Sequence, residues 1–283
     1  MKGITSLQLD GLYRLALAED IGSGDVTTLS IIPADLRGSA VVFGREPFVL
    51  SGSKPFGRIF ELLDSEITID CPFQDGERVE PGVTVFRLQG KVRSILSAER
   101  TALNFVQRLC GIATLTRKMV DAMAGTGCKL LDTRKTTPLW RSLEKEAVLH
   151  GGGKNHRFGL AGGVLIKDNH IAATGSLKES VRLARQGAPH TFRIEVEAEN
   201  IEQVDEAIEA GADVVLLDNF TPDKLKEAVA VAKGRVLLEA SGGVNLNTVR
   251  AIAETGVDFV SCGAITHSAK AIDLTLEFSP AYG

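Results

Sequence analysis

Cysteine is scarce in this chain. Four occur in 283 residues (Cys71, Cys110, Cys128 and Cys262), with no CxxC pair among them. Such spacing argues against a zinc site and a disulfide scaffold, and it fits a reducing cytoplasm. Long apolar runs are also missing: none approaches the roughly 18 residues that a membrane helix needs. The first segment, Met1 to Asp20, carries Asp10 and Glu19 and has no apolar signal core, so a cytoplasmic location is expected. There is no basic excess either. Lys plus Arg is 32 against 36 Asp plus Glu, a net charge of −4, which disfavours a general nucleic-acid binder. No GxGxxG follows an apolar run, so a dinucleotide fingerprint is absent. What the chain does have is 44% hydrophobic residues, enough to bury a core in one large domain or two modest ones.

The first hundred residues mix helical and strand patterns. Leu7 to Glu19 predicts an amphipathic helix, broken by Ile21-Gly22-Ser23-Gly24-Asp25. Ser39 to Phe43, Phe48 to Leu50, Ile67 to Ile69 and Val83 to Ile95 predict strands, with Asp75-Gly76 and Pro81-Gly82 as turns. Ser53 to Leu63 predicts a helix, and Ser97 to Ala124 a long one capped by Ser97 and bent or divided at Gly111. From Cys128 onward, short apolar runs alternate with capped helical stretches. Ser176 with Glu179 forms a capping box, Asn200 is followed by Gln203, and Thr221 precedes Pro222. Glu209 to Val215 echoes Glu254 to Val260 at a spacing of 45 residues, two βα units, which favours a (β/α) barrel over a doubly wound open sheet. The tail around Leu274 to Phe278 alternates like an edge strand. The expected organisation is therefore an α/β protein: an N-terminal domain over 1–110, a barrel over 111–269, and a tail over 270–283 that packs back on the first domain.

Five apolar runs finish in a charge: Asp132, Lys167, Glu197, Asp218 and Glu239. The C-terminal ends of barrel strands form the mouth of the active site, so a series of charges of both signs predicts a polar cavity there. Between Thr133 and His170 stand seven Lys or Arg (Arg134, Lys135, Arg141, Lys145, Lys154, Arg157, Lys167) against three acids, together with His150, His156 and His170. A basic island in an acidic chain points to a small anionic ligand, and Gly151-Gly152-Gly153 inside it would let backbone N–H groups approach oxyanions. Glu197 and Asp218 would repel such a ligand unless they bind hydroxyls or a metal, which suggests a sugar diol or a Mg²⁺-polyphosphate beside the anionic group. Ser241-Gly242-Gly243 and Gly263-Ala264 follow later strands, where barrels hold phosphate. Taken singly, each of these residues has an ordinary structural reading: surface charge, a turn, a strand cap.

In sequence order, Asp132-Thr133-Arg134-Lys135-Thr136-Thr137-Pro138, Gly151 to Leu160 (GGGKNHRFGL) and Leu165-Ile166-Lys167-Asp168-Asn169-His170 resemble the quinolinate phosphoribosyltransferases, or carboxylating nicotinate-nucleotide pyrophosphorylases. Glu19-Asp20-Ile21-Gly22, Gly24 to Thr28, Glu99 to Asn104, Glu195-Val196-Glu197, Leu217-Asp218-Asn219 and Gly263 to Ser268 extend the resemblance over nearly the whole chain. It implies an N-terminal α/β sandwich, an incomplete α/β barrel and a homodimer with shared sites. It also implies conversion of quinolinate and phosphoribosyl pyrophosphate to nicotinate mononucleotide, pyrophosphate and CO₂, with Mg²⁺, in de novo NAD biosynthesis. On that resemblance Thr133, Arg134, Lys135, His156, Arg157 and Lys167 line the quinolinate pocket, and Arg100 enters from the partner subunit. Glu197 and Asp218 serve the ribose hydroxyls and the metal, while Ser241, Gly242, Gly243, Gly263 and Ala264 hold phosphate. The chain departs from the family at Leu139, where glycine is common, at Glu146 for tyrosine and at Leu149 for arginine. Two other classes compete. Lys167 at a strand end would suit a Schiff-base aldolase, and a retired paralogue would only bind small anions.

Overall fold

The computed structural model describes residues 2–278, with side chains from residue 8 onward. Residues 279–283, the end of the predicted tail, lie outside that range. The chain divides into two units: one comprises residues up to Thr114, Ser142–Gly151 and the chain from Ala269, and the other Leu115–Arg141 with Gly152–Ser268.

The first unit is built on an antiparallel sheet in the order β12-β1-β5-β3, where β1 is Arg37–Gly44, β3 Thr68–Asp70, β5 Thr84–Lys91 and β12 Leu274–Phe278. A two-stranded ribbon pairs β2 (Phe48–Val49) with β4 (Arg78–Val79). The tail strand docks with Ala40 opposite Phe278 and Gly44 opposite Leu274, so the alternation of Leu274 and Leu276 buries both leucines. Phe48, Phe56, Phe60 and Phe86 are fully enclosed, and Phe56 stacks on Phe86 with centroids 4.0 Å apart.

Four expectations change here. The run Val83 to Ile95 does not stay extended: the strand stops at Lys91 and the helix Val92–Ala122 begins at once. Gly90 lies within the strand, paired with Gly38, so it does not signal the strand's end, and β-branched Val92 and Ile95 read as strand because both are buried. Ser97 lies inside the helix, where its hydroxyl donates to Asp25 instead of capping. Gly111 does not divide the helix, which runs unbroken through it; a Cβ there would sit 2.2 Å from the Lys270 carbonyl oxygen, so glycine is required for the tail to cross closely. Finally, the first unit reaches Thr114 and claims the helix Arg141–His150 from Ser142 on, which the sequence reading had kept in the barrel. That helix buries Leu143, Ala147 and Val148, and fully buried Glu144 accepts hydrogen bonds from Arg108.

The second unit is a parallel sheet of six strands: β6 (Lys129–Leu131), β7 (Val164–Ile166), β8 (Ile194–Ala198), β9 (Val214–Asp218), β10 (Leu237–Ser241) and β11 (Phe259–Ser261). Its order is β6-β11-β10-β9-β8-β7. Sequential strands are neighbours, and the first strand joins the last. That is barrel winding, opened between β6 and β7, and so the incomplete barrel of the sequence reading. The 45-residue repeat maps onto β9 and β11, two strands apart with β10 between them. Connecting helices begin as their caps predict: Ser176 Oγ accepts the Glu179 N–H, Asn200 Oδ1 that of Gln203, and Thr221 Oγ1 that of Lys224, with Pro222 in the first turn. Along the free edge of β6, Lys154 donates to Leu130 and its carbonyl accepts from Asp132, so the segment after the triple glycine runs beside the strand.

Candidate active site

Period-two alternation along parallel strands decides which side chains share a face. In β8 it places Glu195 and Glu197 together, and in β10 Glu239 and Ser241. Glu197 and Glu239 both pair in register with Leu216 of β9, and Asp218 with Ser241. Glu197, Leu216, Asp218, Glu239 and Ser241 line one cavity of about 210 Å³ with Leu165, Lys167 and Ser261. Thr133, Arg134 and Lys135 reach it from the segment after β6, and His156 and Arg157 from the segment beside that strand.

Each cation is placed by its own backbone. Thr133 Oγ1 accepts the Lys135 N–H at 3.0 Å, and the Lys135 carbonyl accepts from Thr266 Oγ1 at 2.7 Å, which fixes the loop that carries Arg134 and Lys135. Lys167 precedes the short helix Asp168–Thr174, with its N–H donated to His170 Nδ1 at 3.0 Å. Its ammonium pairs with Glu197. Arg157 donates from Nη1 to the Gly163 carbonyl at 3.0 Å, while its Nε is buried without a partner. Burial and the neighbouring Arg134 charge lower its pKa, as expected of a cation awaiting an anion. Asp218 accepts from Asn219 Nδ2 at 2.8 Å. Asn219 has φ +58°, and its N–H donates to Ser241 at 2.9 Å. A Cβ on Gly242 would lie 2.1 Å from Asn219 Oδ1, so the Ser-Gly-Gly turn and the Asp-Asn corner require each other.

Of the predicted residues, Thr133, Arg134, Lys135, His156, Arg157, Lys167, Glu197, Asp218 and Ser241 thus line one cavity. Gly242, Gly243, Gly263 and Ala264 do not line it; they lie in the segments after β10 and β11, and a Cβ on Gly263 would meet Lys135 Cδ at 2.9 Å. Arg100 is exposed on the helix Val92–Ala122 of the first unit. Sequence reasoning gave no role to the carboxylates at the cavity floor. Glu195 lies 3.1 Å from His156 Nε2 and Glu239 3.7 Å from it, both buried. Burial and the Glu195 charge push the Glu239 carboxyl up to about 7. The signal was present: Glu195 stands two residues before Glu197 on one strand. Leu139 has φ +68° and is 80% exposed, a left-handed backbone that glycine would adopt more readily. Glu146 and Leu149 are exposed on their helix.

Two family models match this chain in sequence: the N-terminal domain of quinolinate phosphoribosyl transferase over residues 25–110 and its C-terminal domain over 112–277. A probable carboxylating nicotinate-nucleotide pyrophosphorylase of Bacillus subtilis is 43% identical over 96% of this chain and 93% of its own. A decarboxylating quinolinate phosphoribosyltransferase of Nicotiana tabacum is 40% identical over 95% of this chain and 82% of its own. Among solved structures, the nicotinate-nucleotide pyrophosphorylase of Francisella tularensis superposes with a TM-score of 0.93 at 43% identity, covering 96% of each chain. With models of both domains matched in order and relatives aligned from end to end, the chain belongs to the quinolinate phosphoribosyltransferase family.

Proposed function

We propose that this enzyme transfers the phosphoribosyl group of phosphoribosyl pyrophosphate to quinolinate and decarboxylates the adduct. The products are nicotinate mononucleotide, pyrophosphate and CO₂, the step that feeds de novo NAD biosynthesis. The observation that carries the reading is one cavity holding Arg134, Lys135, Arg157 and Lys167 together with Glu197 and Asp218. A planar dianion matches guanidinium forks, which fix orientation as well as charge. The partnerless Arg157 Nε is one donor awaiting a carboxylate.

Orientation matters because the ring nitrogen must face C1′ of the ribose. As pyrophosphate departs, C1′ gains oxocarbenium character, which the carboxylates of Glu197 and Asp218 stabilise. Once the N–C bond forms, CO₂ leaves from the adjacent ring carbon, the electron pair stays on that carbon beside the positive ring nitrogen whose charge stabilises it, and a proton from solvent completes the C–H bond. Positioning and field suffice, without a covalent nucleophile. Glu197 and Asp218 fit Mg²⁺ as hard oxygen donors, since this ion binds through one or two carboxylates plus substrate phosphates. Mg²⁺, when bound, neutralises the leaving pyrophosphate. Ser241, Gly242, Gly243, Gly263 and Ala264 are assigned to phosphate.

A cytoplasmic homodimer with shared sites completes the proposal. The first unit leaves Leu15, Val26, Leu29 and Ile31 exposed, apolar surface suited to a second copy, and Arg100 would reach the partner's cavity. All four cysteines are free, and no helix among the described residues is long and apolar enough to cross a membrane. The deciding assay supplies quinolinate, then nicotinate, each with phosphoribosyl pyrophosphate and Mg²⁺. CO₂ and nucleotide should form in equal amounts from quinolinate; turnover of nicotinate alone would refute the assignment, and so would trapping of a carbonyl substrate on Lys167 by borohydride.

A further inference from the structure

Against the cavity wall, His156 and Glu239 meet Glu195, and the two acids have no part in that chemistry. The metal-ligating atoms of His156, Glu195 and Glu239 all lie within 4.8 Å of one another. Glu195 is 7% exposed and Glu239 2%, and Oε1 of each is buried without a partner. Two carboxylates and an imidazole at such spacing resemble a divalent-metal site. The imidazole argues otherwise. Its Nδ1 accepts the Arg157 backbone N–H at 2.7 Å, so the neutral ring carries its proton on Nε2, the nitrogen a metal would need. That proton faces Glu195 Oε2 at 3.1 Å, with Glu239 Oε2 at 3.7 Å behind it.

We infer that Glu195 and Glu239 are positioning residues: Glu195 holds His156 at Nε2, Glu239 backs that contact with its charge from 3.7 Å, and His156 in turn fixes the main chain from which the Arg157 guanidinium enters the cavity. Other bonds agree with this role. Buried Asp132 accepts the His156 N–H at 2.8 Å, and Gly163 accepts from Arg157 Nη1. The segment is thus held at the backbone, at the ring and at the guanidinium, leaving Arg157 Nε uncommitted. On this view the buried acids set the angle at which a carboxylate is received. The inference rests on the assignment of this cavity to quinolinate and adds residues that act through His156 and Arg157.

Two measurements test it. Glu239→Leu should raise the quinolinate KM tenfold or more while the phosphoribosyl pyrophosphate KM stays within twofold, and Glu239→Gln, which keeps the shape and a polar oxygen facing Nε2–H, should restore most of the loss. Equal changes in both KM values, or none, would overturn the clamp. Independently of any substrate, ¹⁵N–¹H spectra of histidine-labelled protein, with His156→Gln for assignment, should show the Nε2–H tautomer in wild type and its loss of definition in Glu239→Leu. An Nδ1–H tautomer, or stoichiometric Zn²⁺ binding abolished by Glu239→Leu, would replace the clamp with a metal site. If Glu239→Leu fails to fold, the wild-type and Glu239→Gln spectra still decide. Should quinolinate not be turned over at all, the functional assignment fails while the spectra judge the clamp separately.

Discussion

Glu239→Gln offers a test of the cavity floor that needs no substrate. The Glu239 carboxyl titrates near 7 in the folded chain against an ordinary 4.5, because burial and the facing Glu195 charge penalise ionisation. A folded-state value above the unfolded one means that the folded chain holds the proton more tightly. The associated stability is fully present below pH 4.5 and is lost as pH rises to about 7. A shift of about 2.5 units at 1.36 kcal/mol each amounts to roughly 3 kcal/mol, a property of the Glu195–Glu239 pair more than of one residue. Gln keeps the shape and cannot ionise, so its stability relative to wild type should grow between pH 5 and pH 8 by up to about 3 kcal/mol. Urea titrations followed by fluorescence of Trp140, the lone tryptophan, would report this from the barrel unit itself. A difference that stays flat over that window, or one that grows toward acid, would refute the account of the floor.

Further outcomes follow from the cavity walls. Arg134→Ala and Arg157→Ala should each raise the quinolinate KM roughly 10- to 150-fold, the equivalent of 1.5–3 kcal/mol for a charge-assisted bond, with unchanged circular dichroism; unaltered kinetics would remove that residue from the pocket. Asp218→Asn should shift the Mg²⁺ concentration needed for half-maximal rate more than it shifts the quinolinate KM, and identical metal curves for wild type and variant would contradict the ribose-side assignment. Mixing Arg100→Ala with Lys167→Ala subunits should recover part of the activity, whereas absence of recovery would place Arg100 outside the partner's cavity. Leu139→Gly should stabilise the chain by roughly 0.5–1 kcal/mol through relief of a left-handed backbone, less the added freedom of the unfolded state; a lower Tm would show that the exposed leucine is held by something else.

The strand-end charges could be read directly because a short parallel strand must end where its apolar run ends, and in a barrel that end faces the site. The meeting of Lys167, Glu197 and Asp218 at one cavity was therefore legible, and the caps at Ser176, Asn200 and Thr221 announced the helices that space them. Glu239 was visible as a charge yet without a role, since its partners Glu195 and His156 come from a neighbouring wall and a distant loop. Long-range convergence leaves no local pattern. The start of the helix at Val92 was hidden for a different reason: burial, not strand pairing, selects the branched side chains there. Ser142–His150 looked like part of the barrel because the chain leaves it and returns within ten residues.

The barrel is left unsealed between its first two strands, and the segment bearing His156 and Arg157 lies along that seam, tied to Leu130 and Asp132 by the Lys154 backbone. On the proposed assignment, recognition of the aromatic acid sits beside that gap on a loop held by its own hydrogen bonds, while Glu197 and Asp218 belong to the continuous ladder. Substitutions along the seam can retune which ring is accepted and leave the ribose machinery untouched, so a change of acceptor within this architecture would be written first between Gly152 and Gly163.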